Sequence, residues 1–292
     1  TIQGANIGIY SQGRVNMSAG TVTGTAGHAL KVGTATGSVS MTGGTLSNSN
    51  SYGALCVYTS ASAAVSGGTI RNYSSSALST YGTTTISGST SVIGANSGIT
   101  VQSGILRIQG GTITGTNHGV INRGQCAISG GTIYTTGSNE AVSNGTGTES
   151  VGLMQISGGT IYTTGSAAPV ANHSSQTWPT SSTSGYIAYC TQTDSSKRAC
   201  TIHITGSPVI EARGSGYAIR NTSTSTKGGI HFPGAFSGRV YAKNNYVLVN
   251  FSKGSKYIFM NGGNLYCPKG SKYYSYGNVT INSAVKKYNR AP

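Results

Sequence analysis

Short apolar stretches recur along this chain at intervals that no helical period produces. One set precedes a glycine-rich corner: Val15-Asn16-Met17, Val39-Ser40-Met41, Ala63-Ala64-Val65, Thr84-Thr85-Ile86, Leu106-Arg107-Ile108, Cys126-Ala127-Ile128, Met154-Gln155-Ile156, Ile202-His203-Ile204 and Ile230-His231-Phe232. Their inner positions alternate strictly, the period-two signature of a strand with one buried face. A second set follows the glycines, with Val22, Leu46, Ile70, Val92, Ile113, Ile133 and Ile161 as its apolar residues. A third runs from Ala29-Leu30-Lys31-Val32 through Gly119-Val120-Ile121-Asn122 to Ala218-Ile219-Arg220-Asn221. Three short strands per repeat predict a triangular coil.

Aligned on the threonine of the recurring SGGTI, the units begin at Thr1, Thr21, Thr45, Thr69, Thr90, Thr112, Thr132 and Thr160, spaced 20 to 28 residues apart. A degenerate copy, TGSPVI, places Pro208 in the threonine position. Equivalent side chains that recur once per coil favour parallel stacking of like on like, about 4.8 Å apart, whereas antiparallel pairing scatters those matches. Glycine pairs such as Gly43-Gly44 and Gly130-Gly131 fall where the chain turns a corner. The expected fold is therefore all-β, a parallel β-helix (β-solenoid) of about nine coils over residues 1–233. An irregular loop or extra coil at about 173–201, with Trp178 and Pro179, interrupts it. Over residues 234–292 the repeat fades into a basic, tyrosine-rich segment expected to form a C-terminal cap or assembly segment that hides a strand edge.

The SGGTI and YAIRN units resemble the Gly/Thr-rich β-helix repeats of large surface proteins of Gram-positive bacteria, similar in architecture to pectate-lyase-type right-handed β-helices. The resemblance covers roughly residues 1–233. It implies architecture but no activity, because one fold serves many purposes.

Composition sharpens this reading. Glycine supplies 45 of 292 residues, and only 8% are charged, against roughly 25% in ordinary domains. Disorder is a poor account, because 36% of the chain is hydrophobic and regularly spaced. The net charge of +15 is uneven. Residues 1–189 hold five basic and two acidic residues, and residues 190–292 hold fourteen and two.

Catalytic β-helices need convergent carboxylates, a calcium site or a basic residue in a groove. Glu140, Glu149, Asp194 and Glu211 are the only acidic residues, and Glu140 and Glu149 are expected at different corners of one coil. No catalytic residue, metal site or cofactor is predicted. The five cysteines show no metal-binding spacing. Cys190 and Cys200 flank TQTDSSKRA, which reads either as a hairpin closed by a disulfide, implying an oxidising compartment, or as two thiols. Cys126 falls on the inward side of its strand and Cys56 on the outward side. His118 and Glu140 occupy one coil position on adjacent turns and are expected to touch. His203 and His231 are expected outward and solvated, in separated coils.

Asn122, Asn144, Asn172 and Asn221 end the third stretch at equivalent inward positions, which predicts an asparagine ladder along the rod. Such a ladder excludes glycosylation at the acceptor triplets of Asn144, Asn172 and Asn221, leaving Asn250 and Asn278 as candidates.

The expected function is that of a structural or adhesive module without catalytic activity, secreted or displayed at the cell surface, able to stack end to end on itself. A carbohydrate-binding module is the alternative, with Tyr134 and Tyr162 as stacking platforms on neighbouring coils. The candidate ligand or assembly surface adds Lys253, Lys256, Tyr257, Tyr266, Lys269, Lys272, Tyr273, Tyr274, Tyr276, Lys286 and Lys287, where basic charge interleaved with aromatics suits anionic surface polymers or glycans. Nucleic acid is not expected as a physiological partner. Nor is membrane insertion, since no run approaches the roughly 20 apolar residues of a span.

Overall fold

The computed structural model describes residues 1–292 except 34–35, 146–151, 175–199, 223–228, 252–256, 269–272 and 276. Every regular element among the described residues is a β-strand, and each turn of the chain gives one strand to each of three sheets. Thr21–Gly24, Leu30–Val32 and Ser38–Met41 belong to the first, second and third sheets in turn. The sheets hold 12, 11 and 11 strands, paired in parallel with the strands one turn before and after. The fold is the expected solenoid.

Its core is a set of columns. In the first sheet the second position of each strand points inward, so Val22, Leu46, Ile70, Val92, Ile113, Ile133, Ile161, Ile210, Val240 and Leu265 stack with 4% exposure or less. Similar branched side chains at a fixed spacing bury apolar area on every turn, which is the main term favouring the coil.

The repeat does not fade at residue 233. Arg239–Ala242, Asn264–Tyr266 and Lys286–Tyr288 extend the first sheet; Leu248–Asn250 and Tyr274–Ser275 extend the second; Tyr257–Met260 and Asn278–Ile281 extend the third. The C-terminal segment thus continues the solenoid instead of forming a separate cap. Its inward residues keep the alternation as far as Leu265, the inward place of the last first-sheet strand being taken by Lys287, while arginine, lysine and tyrosine replace threonine and serine outside. Gly262-Gly263-Asn264-Leu265 is an SGGTI corner with asparagine in the threonine place.

Corner geometry explains the uneven spacing. Where two glycines precede the first-sheet strand, the second lies in the left-handed region, at φ from +81° to +84° for Gly44, Gly68, Gly111, Gly131 and Gly159. An L side chain is strained there. The copies at Ser87–Thr90 and Thr205–Pro208 lack the pair and carry one residue more, bending instead at Gly88 (φ +56°) and Gly206 (φ +57°). Register therefore moves by one: Ser91, not Thr90, pairs with Thr69, and Val209, not Pro208, pairs with Thr160.

The opposite end of the first-sheet strand follows a similar rule. Where the chain reaches the next apolar residue of the second sheet in five residues, as from Gly94 to Ile99 and Gly115 to Val120, the strand ends in glycine. A Cβ on Gly115 would lie 2.0 Å from the His118 carbonyl oxygen. Except after Gly24, longer corners begin with a residue that has a side chain, and in two of them it fills the corner: Asn72 Nδ2 donates to the Ser76 carbonyl at 3.1 Å, and Thr163 Oγ1 to that of Ala167 at 2.8 Å. Gly115→Ala should cost about 1–3 kcal/mol by overpacking. Gly13→Ala, which meets nothing within 4 Å, should stay within about 0.5 kcal/mol. Thermal unfolding of the two variants checks the contrast.

Candidate binding surface on the first sheet

The third position of each first-sheet strand points outward, and parallel register aligns these side chains into a stripe along the rod. From the N-terminal end the stripe reads Gln3, Thr23, Ser47, Arg71, Ile93, Thr114, Tyr134, Tyr162, Glu211, Tyr241, Tyr266 and Tyr288. Its first half is mixed and mostly small or polar. Its second half is aromatic.

The rings of Tyr134 and Tyr162 stack with centroids 4.9 Å apart and planes inclined by 1°. Tyr266 and Tyr288 stack at 4.7 Å and 13°. Strand spacing alone sets these distances, so identical aromatics on neighbouring turns stack without further design. All four are half-buried.

Between the two stacks sits Glu211, only 5% exposed. Arg213 reaches its carboxylate at 2.7 Å and Arg239 at 2.8 Å, from opposite sides. Arg213 also lies over the Tyr162 ring, 3.7 Å from its centroid. Each arginine side chain keeps 43% of its surface exposed, so the carboxylate fixes their position while leaving N–H donors facing solvent. Lys286 stands exposed in the adjacent outward column, in register with Asn264 and Arg239. Arg290 approaches Tyr288, 5.7 Å from the ring centroid. Stacked tyrosines that turn their edges outward, aligned cations and no uncompensated negative charge thus share one side of the rod.

The remaining candidates divide. Tyr274 is 54% exposed but belongs to the second sheet. Tyr257 and Tyr273 are buried, at 3% and 9%, and are corrected from exposed to buried: Tyr257 takes the outward first position of its strand, beside inward Ile258, and is nonetheless covered, while Tyr273 packs against the core. Lys287 is exposed at the inward register position opposite Leu265, interrupting the apolar column. Lys253, Lys256, Lys269, Lys272 and Tyr276 lie outside the described residues, as do Glu149, Asp194, Trp178 and Cys190. The Cys190–Cys200 pairing is thereby outside them too, although Cys200 itself is buried.

The four ladder asparagines form one chain of buried amides. Asn122 Nδ2 donates to Asn144 Oδ1 at 2.7 Å, Asn144 to Asn172 at 3.1 Å, and Asn172 to Asn221 at 2.9 Å. A fifth rung, Asn250, accepts from Asn221 at 3.2 Å and is fully buried, so it is removed from the glycosylation candidates; Asn278 is exposed.

Glu140 receives more than the expected histidine. His118 Nε2 lies 3.3 Å and His173 Nε2 3.5 Å from its carboxylate, and the Arg220 guanidinium donates to the same group. Burial pushes the carboxyl up, but the two imidazole hydrogen bonds and the Arg220 charge outweigh it and hold the group well below the usual carboxylate range. Both described carboxylates are therefore engaged with cationic side chains, on different sheets.

Two outward assignments change. His203 and His231 are adjacent in register, stacked at 5.5 Å, and only 3% and 1% exposed. Cys56 is 2% exposed, and burial pushes its thiol up to about 11, with Lys31 pulling the other way. Cys126 is inward as expected, its thiol pushed up to about 12 by burial. Among the described residues no helix is long and apolar enough to cross a membrane. Comparison with family models, curated proteins and solved structures finds no match to this chain.

Proposed function

We propose that this chain is a non-catalytic adhesive rod, working outside the cell, that holds an anionic polysaccharide along its first sheet. The observation that carries the reading is the stripe of Tyr134, Tyr162, Tyr241, Tyr266 and Tyr288 with Arg213 and Arg239 set among the rings. Sugar rings offer C–H groups and hydroxyls to the outward edges and phenol groups of the stacked tyrosines, and uronate or sulfate groups offer acceptors to guanidinium forks. A stripe that runs along the rod fits a linear polymer better than a compact ligand. The net charge of +15 supports attraction to a polyanion, and Glu211, neutralised by two arginines, does not oppose it. A role without chemistry is supported by the engagement of Glu140 and Glu211 in ion pairs. The extracellular setting rests on the likeness of the SGGTI units to surface-protein repeats.

The test is binding to alginate, a polyuronate, against dextran, which is neutral. Alginate should be retained, less so as salt rises, and dextran should bind far more weakly. Replacing Tyr134 and Tyr162 together by alanine should weaken binding at this stripe roughly tenfold or more, the scale of one or two lost ring contacts of about 1–1.5 kcal/mol. Unchanged alginate affinity at the stripe in that variant would remove the proposal.

A further inference from the structure

A second tyrosine cluster lies on another face, at the N-terminal half of the rod. Tyr10 points outward from the second-sheet strand Ile9–Ser11, and Lys31 occupies the same position one turn later. The Lys31 ammonium sits 5.4 Å from the centre of the Tyr10 ring and 4.5 Å from that of Tyr58. Tyr58 and Tyr81 follow the second-sheet strands of the third and fourth turns, and their rings lie 5.6 Å apart, inclined by 32°. These three rings keep 52%, 39% and 38% of their surface open, in chain order.

The ring of Tyr10 reaches Gly33 on the next turn, and the sequence makes room for it there. A Cβ on Gly33 would come within 2.9 Å of the Tyr10 hydroxyl and 3.1 Å of its ring. Gln12 Nε2 donates to that hydroxyl at 3.2 Å. A half-exposed ring braced against Gly33 with its hydroxyl engaged by Gln12 offers a contact platform at little entropic cost.

Beside this platform, across the corner into the third sheet, runs a shallow groove of about 370 Å³. Its outward residues include Ser38, Ser40, Ser62, Thr83 and Thr85, with Arg14 at one end. Register explains the hollow: three turns carry small hydroxyl or methyl side chains, while Arg14 precedes them and Arg107 follows them in the two outward columns. Hydroxyls along the groove, Arg14 at one end, Arg107 one turn beyond Thr85 and the exposed tyrosines of the adjoining corner together suit a hydroxyl-rich, negatively charged chain.

We propose that this platform and groove form a second polysaccharide site, on a different face from the first-sheet stripe, so that one rod bridges two polymer chains. The inference rests on the glycan-binding reading of the stripe for its ligand class, but its residues are separate. Two sites on different faces make the module a cross-linker, because one chain bound at the stripe leaves the other site open to a second.

Calorimetric titration with alginate hexasaccharide separates the two sites. The unaltered protein should bind two equivalents. The Tyr58→Ala/Tyr81→Ala variant and, separately, the Tyr134→Ala/Tyr162→Ala variant should each bind one, with the four-fold variant binding none. Ser62→Trp, which fills the groove from an exposed position without touching the core, should also leave one equivalent. If the Tyr134/Tyr162 variant binds nothing, the second site does not exist. If it keeps one equivalent while the Tyr58/Tyr81 variant binds nothing, the stripe fails and the second site stands. Absence of binding by the unaltered protein sinks both. Circular dichroism at the solenoid's β-sheet band confirms that each variant is folded.

Discussion

Replacing Asn172 by leucine should destabilise the turns around it by about 2–4 kcal/mol, although leucine is nearly isosteric and more apolar. Asn172 is fully buried and stands in the middle of the ladder, accepting from Asn144 and donating to Asn221. Its loss removes two amide bonds at once and leaves one Nδ2 proton of Asn144 facing hydrocarbon, at about 1–3 kcal/mol for such an unmet group. Its side chain also bonds the backbone of Ser174, so the corner after the second sheet loosens with it. A solenoid transmits stability only between neighbouring turns, so the effect should appear locally. Hydrogen exchange should rise in Val142–Asn144 and Ile219–Asn221 and stay unchanged in Leu55–Val57. Thr114→Ala, outward on the first sheet, should change stability by less than about 0.5 kcal/mol. Equal protection at all three strands in the leucine variant would show that the ladder adds no net stability.

The ladder also shows what the sequence makes legible. Period-two alternation identifies each strand, and recurrence once per turn identifies parallel stacking, because both follow from backbone geometry alone. The inward asparagines were visible because they share a position with valine and isoleucine two residues before them. The fifth rung, Asn250, escaped for the same reason that the last turns did. The repeat was recognised by its threonine corner, and Gly262-Gly263-Asn264-Leu265 spells that corner with asparagine. What the fold requires there is a glycine at positive φ and an inward apolar residue, both of which are present: φ is +88° at Gly263, and Leu265 is fully buried. Threonine is only the outward tenant.

Outward side chains were harder to place. Tyr241 and Tyr288 join the stripe through the register of turns beyond the last threonine corner, where only the alternation of residues marks a strand. Cys56 and the stacked His203 and His231 lie on outward faces that are nonetheless buried, and strand period reports which side a residue takes, not what covers that side. Glu140 is an intermediate case. His118 sits at the same coil position one turn earlier and is expected to meet it, while Arg220 is 80 residues further on and reaches back across the one intervening turn along the outside of the second sheet. Long side chains that run parallel to the rod axis connect turns that no local pattern relates.

That reach makes Glu140 a charge on which three turns depend. Glu140→Gln keeps the shape and removes the negative charge that Arg220, His118 and His173 all face. Breaking a buried pair from one side typically costs about 3–5 kcal/mol. Arg220 keeps 28% of its side chain exposed and relaxes toward water, which brings the expected loss at neutral pH to about 2–4 kcal/mol. The pH dependence follows from the direction of the shift. The native carboxyl holds its proton less tightly than the unfolded one, so its contribution is complete above the unfolded value of about 4.3 and is lost as pH falls toward the lower native value. The gap in unfolding free energy between the two proteins should therefore hold steady from neutral pH down to about pH 5 and narrow below it. Denaturant unfolding at a series of pH values reads this directly. A gap that persists undiminished in acid would assign the loss to altered packing at the second-sheet corner, and would show that the carboxylate's charge is not what ties these turns together.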